Sequence, residues 1–304
     1  MLYDLAIIGA GPAGMTCALY ALRGNLKVAI IEGSAPGGKM VKTSWVENYP
    51  GVKKIDGTEL SMIMFDQIQE LEVDYQPYFV EKIEKSKDDN FIISTTGESI
   101  ITKSIFIATG TSERKLGVPG EEEYYGKGIS YCAVCDAALY KNKEMIVVGG
   151  GNSALEEALY LTSFATKVYL IHRTDKFRAD KMVVEKVKKH HKIEMITNTI
   201  VTEFVGNGKE IISLKVKNIL NNIEKEIPIE IVFPLIGSIP ATNFLKDLNI
   251  LDENNYIIVN EKMETNVKKL YSGGDVVKKS LRQIATAVAD GAIAAQEIIH
   301  SLNE

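Results

Sequence analysis

Leu2-Tyr3-Asp4-Leu5-Ala6-Ile7-Ile8-Gly9-Ala10-Gly11-Pro12-Ala13-Gly14 is the stretch whose reading decides the fold. Leu2 to Ile8 reads as a buried strand, the glycines as a turn, Met15 to Arg23 as a helix, and Lys27 to Ile31 as a second strand that ends at Glu32. Each glycine has a task in such a βαβ unit. Gly9 permits a tight turn, Gly11 lets a pyrophosphate approach the backbone, and Gly14 lets the helix pack on the strand. The helix N-terminus attracts the phosphates. Glu32 follows Gly14 by about 18 residues, where a carboxylate accepts hydrogen bonds from an adenosine ribose. A plain glycine-rich turn is the alternative, and it leaves this whole context unexplained.

A second copy starts in mid-chain. The strand Met145 to Val148 leads into Gly149-Gly150-Gly151-Asn152-Ser153-Ala154, a helix to about Ser163 and the strand Lys167 to Ile171. This strand ends in His172-Arg173 rather than Asp or Glu, and Arg178 follows, so a 2′-phosphate is favoured over a free ribose hydroxyl. NADP(H) is therefore expected over NAD(H). The lysine-rich run from Lys176 to Lys192 reads as a solvated helix face. The adjacent His190 and His191 do not share a helix face, so they are not expected to hold a metal.

Further strands are expected at Asn90 to Thr95, at Ser99 to Ile107 before Ala108-Thr109-Gly110, and at Glu230 to Ile236. Asn207-Gly208 and Asn221-Asn222 read as turns, Leu270 to Asp275 as a strand reaching an acidic residue, and Ile284 to Ile299 as an alanine-rich helix. The two nucleotide-binding halves are the only internal repetition.

A chain of 304 residues suggests two domains, and 45% hydrophobic with 25% charged residues is a globular composition. The net charge of −5 argues against a nucleic-acid partner. No apolar run reaches the roughly 18–20 residues of a membrane span, and no basic leader precedes Leu5, so a soluble, cytoplasmic protein without a membrane partner is expected. The three cysteines are Cys17, Cys132 and Cys135, an odd number that does not suit a secreted disulfide framework. Cys17 falls inside the first helix and reads as a small buried apolar residue.

Cys132-Ala133-Val134-Cys135 has redox spacing and stands before Asp136-Ala137-Ala138-Leu139-Tyr140, which could open a helix whose N-terminus stabilises a thiolate. Two intervening residues allow a small disulfide ring that exchanges with other dithiols. A zinc half-site would need two more ligands, and the four histidines show no finger spacing, so no metal is expected.

The ordered set Gly9 to Gly14, Glu47-Asn48-Tyr49-Pro50-Gly51, Ala108-Thr109-Gly110, Cys132 to Asp136, Gly149 to Ala154, Ile236-Gly237, Gly274-Asp275 and Arg282-Gln283-Ile284 resembles the bacterial-type thioredoxin reductases over essentially the whole chain. The larger glutathione-reductase type carries its redox cysteines in the FAD domain, whereas no cysteine stands near Gly37-Gly38 here. The resemblance implies an α/β fold of two Rossmann-like domains, the second inserted into the first. Residues 1–114 and 243–304 would form the FAD-binding domain, and residues 115–242 the NADPH-binding domain that carries the cysteine pair.

By the same resemblance FAD would contact Gly9, Gly11, Pro12, Ala13, Gly14, Glu32, Gly38, Lys39, Asn48, Ala108, Thr109, Gly110, Asp275, Arg282, Gln283 and Ile284, with Asn48, Asp275 and Gln283 near the ribityl and flavin parts. NADPH would contact Gly149, Gly151, Asn152, Ser153 and Ala154, with Arg173 and Arg178 at the 2′-phosphate; Ile236 and Gly237 complete the expected cofactor contacts. Cys135 would face the flavin, Cys132 would attack the disulfide of thioredoxin or a thioredoxin-like protein, and Asp136 would serve as the acid-base group, or else only cap a helix. The family's homodimer is implied too, as is a rotation of the inserted domain about two connections, Thr111 to Pro119 and Gly237 to Asn243. Two positions depart from the family pattern: Thr174 replaces a second arginine, and Lys39 replaces a glutamine after the paired glycines. A dithiol oxidase, a ferredoxin-linked reductase and a redox-sensing flavoprotein without NADPH turnover are the rival readings.

Overall fold

The computed structural model describes all residues except Ser44, Trp45, Lys87 and Glu304. The chain divides into two compact units, Met1–Ser112 with Ile239–Glu304, and Glu113–Ser238.

In the first unit seven strands form one mixed sheet. Leu2–Ile8 runs parallel to Val28–Ile31 on one side and to Ile100–Ile107 on the other. Asp74–Gln76 continues the sheet in parallel beyond Val28–Ile31, and Leu270–Ser272 lies parallel beside Ile100–Ile107. Phe91–Thr95 and Val80–Lys85 complete it as antiparallel strands. Successive side chains alternate between two apolar layers. Leu5 and Ile7 join one with Val28, Ile30 and Phe106; Ala6 and Ile8 join the other with Ala29, Ile31, Ile105 and Ile107. Burial on both faces turns a period of two into a continuous apolar run, the sequence mark of a central parallel strand.

The helices Pro12–Arg23 and Ile284–Asn303 close the first layer. They approach closely because a Cβ at Gly291 would fall on the carbonyl oxygen of Ala13. Cys17 is fully buried between them, and burial pushes its thiol well above the ordinary value. A helix not read from the sequence, Gly57–Gln69, starts at Asp56, whose carboxylate accepts the amides of Thr58 and Glu59.

In the second unit Ile193–Ile196, Lys167–Ile171, Glu144–Val148 and Val232–Pro234 form a parallel sheet in that order. Met145 and Val147 face the helix Asn152–Leu161, while Ile146 and Val148 pack with residues of an antiparallel sheet made of Thr199–Gly206, Ile211–Asn218 and Glu224–Pro228. Gly208 and Asn222 adopt left-handed φ values of 84° and 59° at the two expected turns. The strand expected over Glu230 to Ile236 is shorter, Val232–Pro234, although the Leu235 amide still donates to the Val148 carbonyl (2.7 Å) beyond it. Lysine-rich Lys181–Lys189 is a helix with only Val187 fully covered, a solvated face as read.

Two chain segments connect the units, and they pair with each other: Thr111–Glu113 with Ser238–Pro240. Among the described residues no helix is long and apolar enough to cross a membrane.

Candidate functional site

The first glycine turn is built as its residues dictate. Gly9 has φ +104°, and a Cβ there would meet the Ala108 carbonyl oxygen at 2.5 Å, so the end of strand Ile100–Ile107 sits against it. A Cβ on Gly14 would fall on the carbonyl oxygen of Gly9, which makes glycine obligatory where helix meets strand. Gly11 is different: no atom lies within 4 Å of the position its Cβ would take. It caps a helix with Pro12 in the first turn, and no side chain takes the first amides of that turn. Glu32 accepts the amides of Ala10 (3.0 Å) and Ser34 (2.8 Å), one on each oxygen, which leaves further lone pairs for a ribose. Open backbone donors and a carboxylate at the strand end fit the pyrophosphate and ribose of a dinucleotide.

Other expected residues converge on this turn. The Gly37 amide donates to the Ala10 carbonyl (2.7 Å), and Gly38, at φ +58°, has the Gly11 Cα as its near neighbour. A Cβ on Gly274 would stand 3.0 Å from that of Ala13, so the segment carrying Asp275 lies alongside. Lys39 donates to the Thr111 hydroxyl (2.8 Å) and its ammonium is 3.8 Å from Asp275. Asn48 donates to the Gln283 side-chain oxygen (3.1 Å) across 235 positions of sequence. Thr109 donates to the Ala241 carbonyl (2.9 Å), and Gly110 has a left-handed φ of 67°. Arg282, by contrast, spends its guanidinium on the carbonyls of Asp275, Lys279 and Val277 and lies over the Tyr256 ring, so it shapes the Asp275 loop before Ile284 starts the last helix. Sequence reading missed a second clamp on that loop: Asp290 accepts the Gly274 amide (2.7 Å) and pairs with Lys279. An Asp inside an alanine-rich helix is the only hint of it in the sequence.

The second turn follows the same plan. Gly151 has no atom within 4 Å of its Cβ position and caps the helix Asn152–Leu161 without a side-chain cap. The Ala154 side chain is buried, and Ser153 is exposed. Asn152 accepts the Asp180 amide (2.7 Å) and donates to its carboxylate, and the Arg178 amide donates to the Gly150 carbonyl (2.8 Å), which draws the arginine loop onto the turn. Gly150 makes room for His172, since a Cβ would land in its ring. The buried imidazole is held below its ordinary pKa by burial first, and by the charges of Arg173 and Arg178, against a raising bond to the Lys176 carbonyl. Thr174 donates to that same carbonyl (3.0 Å). Arg173 and Arg178 are exposed, which leaves their guanidinium groups open to an anion. Leu235, before Ile236, places its carbonyl oxygen against Gly149, and Gly237 has φ +119° with open space at its Cβ.

Cys132 and Cys135 form a disulfide with Cα atoms 5.3 Å apart. The expected helix is one turn, Ala133–Asp136, continued by a 3-10 turn over Ala137–Tyr140, so its dipole contributes little. Local donors matter more: the Cys135 amide points at the Cys132 sulfur (3.2 Å), and the Cys132 amide donates to the Ser130 hydroxyl (3.1 Å). Burial raises the Asp136 carboxyl, and a bond from Ser130 pulls it back. An acid near the sulfurs that holds its proton to higher pH than usual suits proton transfer. Two glutamates complete the surroundings, neither singled out by sequence. Glu121, 2% exposed, accepts the amides of Leu116 and Gly117 and the Tyr131 hydroxyl (2.7 Å). Glu157 accepts the Ala133 amide (3.1 Å).

Residues 3–291 match the family described as pyridine nucleotide-disulphide oxidoreductase. The chain is 45% identical to a thioredoxin reductase of Mycoplasma genitalium over 98% of its own length and 95% of the relative's. It is 44% identical to that of Listeria innocua over 100% and 96%. The crystal structure of thioredoxin reductase from Streptococcus pyogenes superposes with a TM-score of 0.95 at 44% identity, covering 99% of this chain and 98% of that one. The chain therefore belongs to the pyridine nucleotide-disulphide oxidoreductases and, within them, to the bacterial-type thioredoxin reductases.

Proposed function

We propose that this protein takes electrons from NADPH through FAD to Cys132–Cys135 and reduces the disulfide of thioredoxin or a thioredoxin-like protein. The observation that carries the reading is the Cys132–Cys135 disulfide, set beside Asp136 in the unit that also bears the second glycine turn. FAD, when bound, supplies two-electron transfer between a nicotinamide and a disulfide. In the balanced reaction NADPH, a proton and a disulfide give NADP⁺ and a dithiol.

The chain's own residues bind, orient and move protons. Gly9 to Gly14 and Glu32 hold the pyrophosphate and ribose of FAD; Gly38, Lys39, Asn48, Asp275 and Gln283 surround its remaining parts. Gly149 to Ala154 hold NADPH, and Arg173 and Arg178 meet its 2′-phosphate. Cys132 attacks the partner disulfide, Cys135 closes the ring again to release the product, and Asp136 carries the proton between sulfur and solvent. The cytoplasm and a homodimeric state are part of this reading, supported by the family resemblance.

Anaerobic titration of the flavin with NADPH and with NADH, followed by oxidised thioredoxin, tests it. NADPH should bleach the flavin and thioredoxin should restore its absorbance, and Cys135→Ser should block the restoration. Bleaching by a dithiol but by neither nucleotide would overturn the reading in favour of an oxidase or another electron donor.

A further inference from the structure

The helix Asn152–Leu161 carries two consecutive glutamates in unlike surroundings. Glu156 is exposed, whereas Glu157 is partly covered and accepts the backbone N–H of Ala133 (3.1 Å). Ala133 is fully buried, follows Cys132 directly and begins the single turn that spaces the two sulfurs. Amides at the start of a helical turn have no partner within the turn. The bond from Glu157 satisfies the first of these amides, and ties the redox segment to the helix that opens at the second glycine turn.

We propose that Glu157 is a positioning residue for the Cys132–Cys135 pair: its carboxyl holds the Ala133 amide and, through its own change of charge, sets the thiolate content of the reduced pair. This rests on the reading of that pair as the exchanging dithiol. Reduction breaks the S–S bond with two electrons and one proton from the NADPH hydride and a second proton from solvent, giving two thiols, one of which can ionise. A carboxylate one peptide unit from Cys132 disfavours that thiolate, and a neutral carboxylic acid does not. Burial pushes the Glu157 carboxyl up to about 7, with the Glu156 charge adding to the rise and the Ala133 bond opposing it. The other titratable groups on the elements packed around this helix are Asp136 and Tyr140 on the redox segment, Glu144, Lys167 and Tyr169 on the adjacent strands, and Glu185 with the lysines of Lys181–Lys189. The Glu157 charge thus appears near neutrality, and carboxyl and thiol titrate as a coupled pair.

The test compares wild type, Glu157→Gln and Glu157→Ala holoenzymes, reduced with a chemical dithiol, freed of it anaerobically and alkylated with iodoacetamide from about pH 5 to about pH 9, with the rate mapped to Cys132. Wild type should show an inflection near 7 below that of the thiol. Glu157→Gln keeps an acceptor for the Ala133 amide; it should lose the lower inflection and react about threefold faster near pH 8. Glu157→Ala should lose the inflection and the hold on the turn together. If it fails to fold, the glutamine variant decides alone. A Glu157→Gln profile superimposable on wild type overturns the proposal. Chemical reduction makes the profile readable whether or not NADPH delivers electrons, so this failure is distinguishable from failure of the reductase assay.

Discussion

The two glycine turns share one backbone plan and differ at the end of the strand that follows. In the first, Glu32 puts a carboxylate beside the turn and spends one lone pair of each oxygen on the Ala10 and Ser34 amides. In the second, a buried neutral imidazole fills the hollow that Gly150 leaves, and the exposed positions beyond it are Arg173 and Arg178. Both turns can greet a pyrophosphate with open helix-start amides. The first adds a carboxylate suited to ribose hydroxyls, and the second adds cationic forks suited to a further phosphate. The proposed coenzyme choice rests on the side chains after the second strand, on a scaffold that is otherwise the same.

The largest expected effect separates packing glycine from ligand glycine. Gly14→Ala drives a methyl onto the Gly9 carbonyl and should cost about 3 kcal/mol or more, with flavin largely absent from the purified protein. Gly11→Ala meets no atom, so with both proteins stripped of flavin its unfolding free energy should stay within about 0.5 kcal/mol of wild type, while the flavin content of the purified variant falls. Equal unfolding free energies for the two stripped variants would break the distinction. Next in size, Arg173→Ala or Arg178→Ala should each raise KM for NADPH about tenfold or more, since a hydrogen bond to a charged group contributes about 1.5–3 kcal/mol. KM for NADH should barely move, and an equal rise for both coenzymes would place these arginines elsewhere.

Thr174→Arg sharpens the comparison from the other side. Steady-state ratios should shift a few-fold toward NADPH, while loss of the Lys176 carbonyl bond lowers stability by about 1 kcal/mol. The smallest effect concerns His172. Its folded pKa lies below the ordinary 6.5, so the unfolded chain binds its proton first; stability is complete above that value and declines as pH falls beneath it. The decline due to this group should stay under about 1 kcal/mol, measured as the difference between wild type and a non-titrating variant in their change of unfolding free energy between about pH 8 and about pH 5.5, since the raised Glu157 carboxyl adds a change of opposite sign to both. His172→Phe, which keeps a ring against Phe177 and cannot titrate, should remove it.

Much of this was legible in one dimension because local chemistry decides it. A strand buried on both faces must be continuously apolar, and a turn with a left-handed residue selects glycine or asparagine, so Leu2–Ile8, Gly9, Gly208 and Asn222 were readable. Boundaries that depend on neighbours were not. The strand at Val232–Pro234 is shorter than its apolar run, and the helix after Cys132 is one turn before the backbone tightens into a 3-10 turn. Arg282 was readable as part of a motif, but the bonds from its guanidinium to the carbonyls of Asp275, Lys279 and Val277 were not.

Sequence by itself determined the α/β class, the pair of glycine turns, the side-chain difference between Glu32 and Arg173, and the spacing of Cys132 and Cys135. Each of these depends on residue type at short separation, where chain geometry leaves few choices. Tertiary structure alone decided which of Glu156 and Glu157 meets the redox turn, how Asp290 and Lys279 clamp the Asp275 loop, and that Asn48 bonds Gln283. A buried carboxyl looks in sequence like any solvated one; its partners are brought to it by the packing of distant elements, and packing sets both its hydrogen bonds and its charge.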